Sequence, residues 1–301
     1  MKNKSIVLII ALITMVIFAA CTPQKETKSE SVKPEFTKET YPKVDGSTAT
    51  IPLSQNIAKE LLSLSKEEAE KFIKHNTTHN AYVNLIAGKA DIIFVTEPSQ
   101  AELKLAQSKG TELEVIPVVK EAFVFLINKS NPVDNMSVQQ LQDVYQGKIK
   151  NWKDLGGENK EIIAYQRPVN SGSQTIMENQ VMKGLKLANA PKELKPEAMG
   201  DLIEVIAAYD NSDRALGYSV YYFANSMYSK DTIKFLKLNG VEPNNKNISS
   251  GTYPFTSAYY AVLNKKSLVD SNARKLLKWL LSDEGQKLAE TSGYVPLKVL
   301  Q

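Results

Sequence analysis

Arg167 is followed within a few residues by Ser171, Gly172 and Ser173, and no other cluster in the chain is as specific in its chemistry. A guanidinium presents a planar fork that fits two oxygens of an oxyanion. A Ser-Gly-Ser turn ahead of a helix adds hydroxyls, bare amide N–H groups and the positive end of the helix dipole. The same residues would also make a surface turn beside a solvated arginine, so the reading needs partners elsewhere. Two further junctions supply them. Asp45-Gly46-Ser47-Thr48 precedes the first long helical pattern and puts the hydroxyls of Ser47 and Thr48 at its start. Asn76-Thr77-Thr78-His79 opens another helix with Thr78 in a donor position. Each of these alone would pass for a helix cap.

Thr96 and Glu97 follow the strand-like run Asp91-Ile92-Ile93-Phe94-Val95, at the carboxyl end where open α/β sheets place ligands. A carboxylate suits an oxyanion only if the ligand carries a proton. It then accepts a hydrogen bond from a species such as monohydrogen phosphate and repels fully ionised sulfate. Glu97 could equally be solvated, or cap the helix after Ser99. His75 and His79, the two histidines of the chain, have no cysteine or paired carboxylate near them in sequence and make a poor zinc set. No metal, cofactor or catalytic group is expected.

The elements that must position these residues follow from periodicity. Strands are expected at Asp91–Val95, Leu113–Val119, Phe123–Asn128, Glu161–Tyr165, Leu216–Val220, Ile233–Leu238 and Ser257–Leu263. Helices are expected at Ile51–Leu64, Lys66–Lys74, Asn80–Ala87, Ser99–Lys109, Val138–Tyr145, Gln174–Leu187 and Ala273–Leu281, with capping boxes led by Ser65 and Ser137. The alternation favours an α/β fold with mainly parallel sheets. Tyr218 and the tyrosines and phenylalanines near it read as core and hinge packing.

The N-terminus has Lys2 and Lys4, an apolar run from Ile6 to Ala20, and then Cys21, the single cysteine of the chain. The run is shorter than the ~20 residues of a membrane span and ends in small residues, as an export signal does. Phe18-Ala19-Ala20-Cys21 resembles a lipobox, which implies cleavage before Cys21 and lipid on its thiol. Residues 21–40 are rich in Lys, Glu, Ser and Thr and read as a disordered tether. Removing residues 1–20 takes two lysines and leaves 35 basic against 33 acidic residues, a net +2 that gives no case for nucleic acid.

The order of these motifs resembles the phosphate-binding proteins (PstS) of phosphate ABC transporters. Tyr145-Gln146-Gly147-Lys148-Ile149 with Trp152, Ala215-Leu216-Gly217-Tyr218, Gly251-Thr252-Tyr253-Pro254 and Trp279 to Gln286 extend the similarity over Tyr41 to Lys298. The resemblance implies a two-lobed periplasmic-binding-protein type II fold with two crossover strands and an interlobe ligand cleft. The lobes would comprise residues 41–124 with 255–301, and residues 125–254. It carries phosphate binding to Ser47, Thr48, Thr78, Arg167, Ser171, Gly172 and Ser173. Two positions depart from the family: Thr96 stands where an accepting Asp is expected, with Glu97 beside it, and Val169 replaces an acidic residue of the Arg loop. The implied protein is a monomer at the outer face of the membrane, with phosphate and ABC permease subunits as partners. Alternatives are another oxyanion (sulfate, molybdate, tungstate), an organic phosphate, or a sensor or adhesin without transport. A serine hydrolase is disfavoured, since Ser171-Gly172-Ser173 does not fit the Gly-x-Ser-x-Gly elbow.

Overall fold

Four successive apolar residues, Ile92 to Val95, form strand β2, and all four are buried, as a strand covered on both faces requires. The computed structural model describes residues 33–208 and 213–298, so the expected signal segment, Cys21 and the tether up to residue 32 lie outside the described residues. β2 runs parallel to β1 (Val44–Gly46) and antiparallel to β9 (Thr256–Asn264). β9 pairs antiparallel with β3 (Leu113–Asn128) from Leu113 to Ala122. There β3 changes partners: Phe123 to Ile127 pair with β6 (Ala215–Val220), and Leu126 to Asn128 with β7 (Ile233–Phe235). β5 (Ile163–Ala164) lies parallel to β6 on the far side. The seven-stranded sheet has the order β1-β2-β9-β3-β6-β5 with β7 also on β3, and β4 (Asn135–Met136) pairs separately with β8 (Lys237–Leu238).

The pairing differs from the mainly parallel sheet expected. Among the described residues, β2–β9, β3–β9, β3–β6 and β3–β7 are antiparallel and three pairings are parallel. The chain leaves along β3 and returns beside it along β9, and adjacent outgoing and returning strands must run in opposite directions. The two strands expected at Leu113–Val119 and Phe123–Asn128 are one strand of 16 residues with a register shift between Pro117 and Val119. Proline has no amide for the ladder there.

Around the sheet pack α1 (Ile51–Leu62), α2 (Lys66–Phe72), α3 (Thr77–Ile86), α4 (Gln100–Ser108), α5 (Val138–Tyr145), α6 (Gly172–Ile176), α7 (Met199–Ala207), α8 (Asn245–Ser249), α9 (Asn272–Leu280) and α10 (Asp283–Thr291). Ser65 and Ser137 make the expected capping boxes. The helix expected through Leu187 stops sooner. α6 passes into a π-helical turn, Met177–Met182, and Lys183 and Gly184 then take left-handed φ values of 47° and 87°. The last tether residues are also packed rather than loose, because Phe36 meets Tyr41 edge-on with centroids 5.6 Å apart. In the core, Phe125 packs on Tyr145 and Phe255, each at 6.1 Å, and Phe123 on Tyr218 at 5.1 Å.

Glu121 is buried just before β3 changes partners. One carboxyl oxygen accepts from the amides of Ala122 at 2.8 Å and Tyr222 at 3.2 Å. Burial outweighs those bonds and pushes the carboxyl up to about 7 from 4.5. The folded state therefore holds this proton to higher pH than the unfolded chain. Its contribution to stability is complete below pH 4.5 and declines as pH rises toward about 7. Glu121→Gln cannot titrate, so denaturant unfolding across that window should show a flatter fall in stability for the variant. Equal slopes would contradict this assignment.

Candidate functional site

The first loop is fixed from below by a carboxylate. Asp45 is buried and accepts from the amides of Gly46 and Asn76, both at 2.7 Å, and from the side-chain amides of Asn76 at 2.9 Å and Asn84 at 2.7 Å. The three bonds from Asn76 and Asn84 tie β1 to α3 and the residue that precedes it. Ser47 donates its amide to the Phe94 carbonyl at 2.9 Å, and the Thr50 hydroxyl donates to the same oxygen at 2.7 Å. Gly46 is needed for that approach, since a Cβ there would lie 2.4 Å from the Phe94 carbonyl. Thr77 takes φ 69° and turns the chain into α3. His75 faces the Ser47 carbonyl through Nδ1 at 2.8 Å, and burial lowers its basicity.

The arginine loop is fixed by a different network. The Arg167 amide donates to the Tyr218 hydroxyl at 2.9 Å, and Tyr218 donates to the Gln174 side chain. The guanidinium is buried and gives Nε to the Pro196 carbonyl at 2.9 Å, Nη2 to the Glu197 carbonyl at 2.6 Å and Nη1 to Ser173 Oγ at 3.5 Å. Burial lowers its pKa, yet a guanidinium stays charged. Two main-chain carbonyls orient the fork without cancelling its charge. Val169 is 74 % exposed and takes no part in holding it.

These loops converge on one cavity of about 380 Å³. Ser47, Thr48 and Thr78 line it with Arg167, Ser171, Gly172 and Ser173, which are seven of the nine expected binding residues. Gly172 seats between two threonines: a Cβ on it would lie 2.7 Å from Thr78 Oγ1 and 2.7 Å from Thr96 Oγ1. Thr96 is thereby at the same junction, and its buried hydroxyl has no hydrogen-bond partner among the described residues. Neither Thr96 nor Glu97 lines the cavity itself, and Glu97 is committed elsewhere. Its carboxylate accepts from Gln180 Nε2 at 2.8 Å, and Gln180 also donates to Ser257 Oγ at 3.0 Å. That bond commits the carboxylate, and Thr96 is the residue turned toward Gly172.

Sequence reasoning set His79 aside and passed over the segment before α7. The structure brings both to the cavity, His79 beside Thr78 and Glu197 to Gly200 beside Arg167. The signal for α7 was present: Met199, Leu202, Ile203 and Ile206 repeat at helical spacing. His79 gave no such signal, because Nδ1 meets Glu102 Oε1 at 3.1 Å from a separate helix. Chemically, the cavity offers hydroxyls, amides at helix starts and one guanidinium, a donor-rich set suited to a small oxyanion.

Fold and site together define a two-sided α/β binding protein. The chain belongs to the family described as the PBP superfamily domain, whose model matches residues 32–284. It is 27 % identical over 307 residues to the phosphate-binding protein PstS of Bacillus subtilis, covering 98 % of this chain and 95 % of that one. Against PstS of Staphylococcus saprophyticus the identity is 27 % over 268 residues, covering 85 % and 80 %. A Clostridium perfringens protein, described as a phosphate ABC transporter substrate-binding protein and solved with bound phosphate, superposes with TM-score 0.66 at 20 % identity, covering 88 % of this chain and all of that one. Among the described residues no helix is long and apolar enough to cross a membrane.

Gly172→Ala tests the junction. The added methyl drives into Thr78 and Thr96 and should abolish the rise in Tm that an added oxyanion gives the parent, while leaving the far-ultraviolet circular dichroism of the apo domain unchanged. An undiminished ligand-induced shift would show that the close approach is not required.

Proposed function

We propose that this chain is the solute-binding component of an ABC importer and captures inorganic phosphate in the cavity between Ser47, Thr78 and Arg167. The observation that carries the reading is convergence: three loops spread along the sequence from Ser47 to Ser173 present hydroxyls, amides and a guanidinium to one space. The phosphate-binding relatives support the choice of ligand. Ser47, Thr48, Thr78 and Thr96 belong to one lobe, residues 41–124 with 255–301. Arg167 and Ser171 to Ser173 belong to the other, residues 125–254. The change of β3 partners between Ala122 and Phe123 supports that division. The anion favours the closed arrangement because only there are both donor sets engaged. Export, lipid attachment at Cys21 and a tether would then hold the domain near its permease.

Thr96 takes the acceptor position in this reading. A hydroxyl both donates and accepts, so it can accept a hydrogen bond from the O–H of monohydrogen phosphate without repelling sulfate as a carboxylate would. The site should accordingly separate phosphate from sulfate less sharply than one with an acidic acceptor. Hydrolysis is not favoured. The Ser171 hydroxyl caps α6 by accepting from the Gln174 amide at 3.3 Å, and among the described residues no serine is hydrogen-bonded to His79.

Calorimetric titration of the domain from residue 33 onward with inorganic phosphate and with sulfate tests the proposal. Phosphate should bind one to one, and Arg167→Ala should weaken it by about 2–5 kcal/mol, the usual cost of removing one partner from a buried charged contact. Equal affinity in parent and variant would overturn the assignment.

A further inference from the structure

Among the described residues the cavity lining contains three ionisable side chains, Arg167, Glu197 and His79. Arg167 and Glu197 carry opposite charges, so their sum is close to zero and the third decides the net charge. Glu197 lies in an exposed segment and reaches Arg167 through its carbonyl rather than its carboxylate. His79 is built in more firmly. On the first turn of α3, its Nδ1 donates to Glu102 Oε1 at 3.1 Å, with the two side chains 39 % and 1 % exposed. The other oxygen of Glu102 accepts from the Ser99 amide at 2.7 Å, which closes the capping box of α4. A carboxylate acceptor requires the proton on Nδ1, and Nε2 is left as the atom whose protonation can change. The remaining titratable groups around this corner are Tyr82 on α3, which feels Glu102 and Glu97, and Glu97, engaged by Gln180. Among the described residues no lysine lines the cavity.

We propose that His79, braced by Glu102, is a further anion-binding and specificity-determining residue, whose imidazole takes up a proton when a doubly charged oxyanion enters. The inference rests on the binding function proposed above. A dianion placed in the cavity favours a cation beside it. The proton comes from bulk solvent to Nε2, and the bound complex gains one positive charge. Affinity then falls as the pH rises above the range in which the bound complex keeps that proton. The residue selects doubly charged over singly charged anions, a discrimination that neutral hydroxyls at Thr78 and Thr96 cannot supply.

The test is calorimetry with inorganic phosphate and with sulfate, each in buffers of differing ionisation enthalpy at about pH 7. His79→Asn keeps a donor for Glu102 and cannot charge. Proton uptake per bound anion should be larger in the parent than in His79→Asn for both anions, with affinity reduced several-fold in the variant. Sulfate stays fully ionised in this range, so its uptake reports the protein alone. In parallel, the His79 ring signals in nuclear magnetic resonance should titrate at higher pH with sulfate present than without, which needs no variant. Identical proton uptake and affinity in parent and variant, or a His79 titration unmoved by anion, would overturn the role of His79 while leaving the binding function standing. Absence of any phosphate or sulfate binding by the parent would sink both.

Discussion

Gly172 fits between Thr78 and Thr96 with no room for a methyl group, and the shape of the site follows from that steric fact. That contact brings the start of α6 against the start of α3 and the end of β2. Any side chain at Gly172 would hold the arginine loop away from the hydroxyls of the other side. The amides and hydroxyls that line the cavity then could not reach the same few oxygen atoms. Closeness here is a property of the residue type, since only glycine lets two backbones or a backbone and a side chain approach so nearly.

Everything around the contact serves to fix its two sides. On one side, Asp45 gathers four N–H donors and so links β1 to α3. On the other, Tyr218 and Gln174 hold the Arg167 backbone while two carbonyls hold its fork. A buried cation oriented by neutral dipoles keeps its charge available, and a charge withdrawn from solvent counts for more than one at the surface. A formal net charge of only +4 is therefore sufficient for an anion site, because the local arrangement and not the total sets the attraction. β3 alone runs through the point where the sheet changes partners, as one continuous strand from Leu113 to Asn128.

Much of this was legible in the sequence. Hydroxyls beside glycine at helix starts and an arginine followed by Ser-Gly-Ser name donors by residue type, and seven of those residues meet in one cavity. What could not be read depends on partners distant in the chain. Glu97 looks like a ligand from its place after β2, but Gln180, eighty-three residues on, claims its carboxylate. His79 looks like a stray histidine until Glu102 packs beneath it on α4. The mainly parallel sheet was an over-reading of local alternation, since nothing in a strand's own residues says which neighbour returns beside it. The apolar period after Gly172 continues past Lys183 and suggests a longer helix than forms, because left-handed backbone at Lys183 and Gly184 ends it.

The most direct test of convergence is a crystal structure of the domain grown with inorganic phosphate. The account predicts a single phosphate with oxygens within hydrogen-bonding reach of Ser47 or Thr48, of Thr78, and of Arg167 with Ser171 to Ser173, all at once. A phosphate held by only one of these loops, or bound elsewhere on the surface, would contradict it.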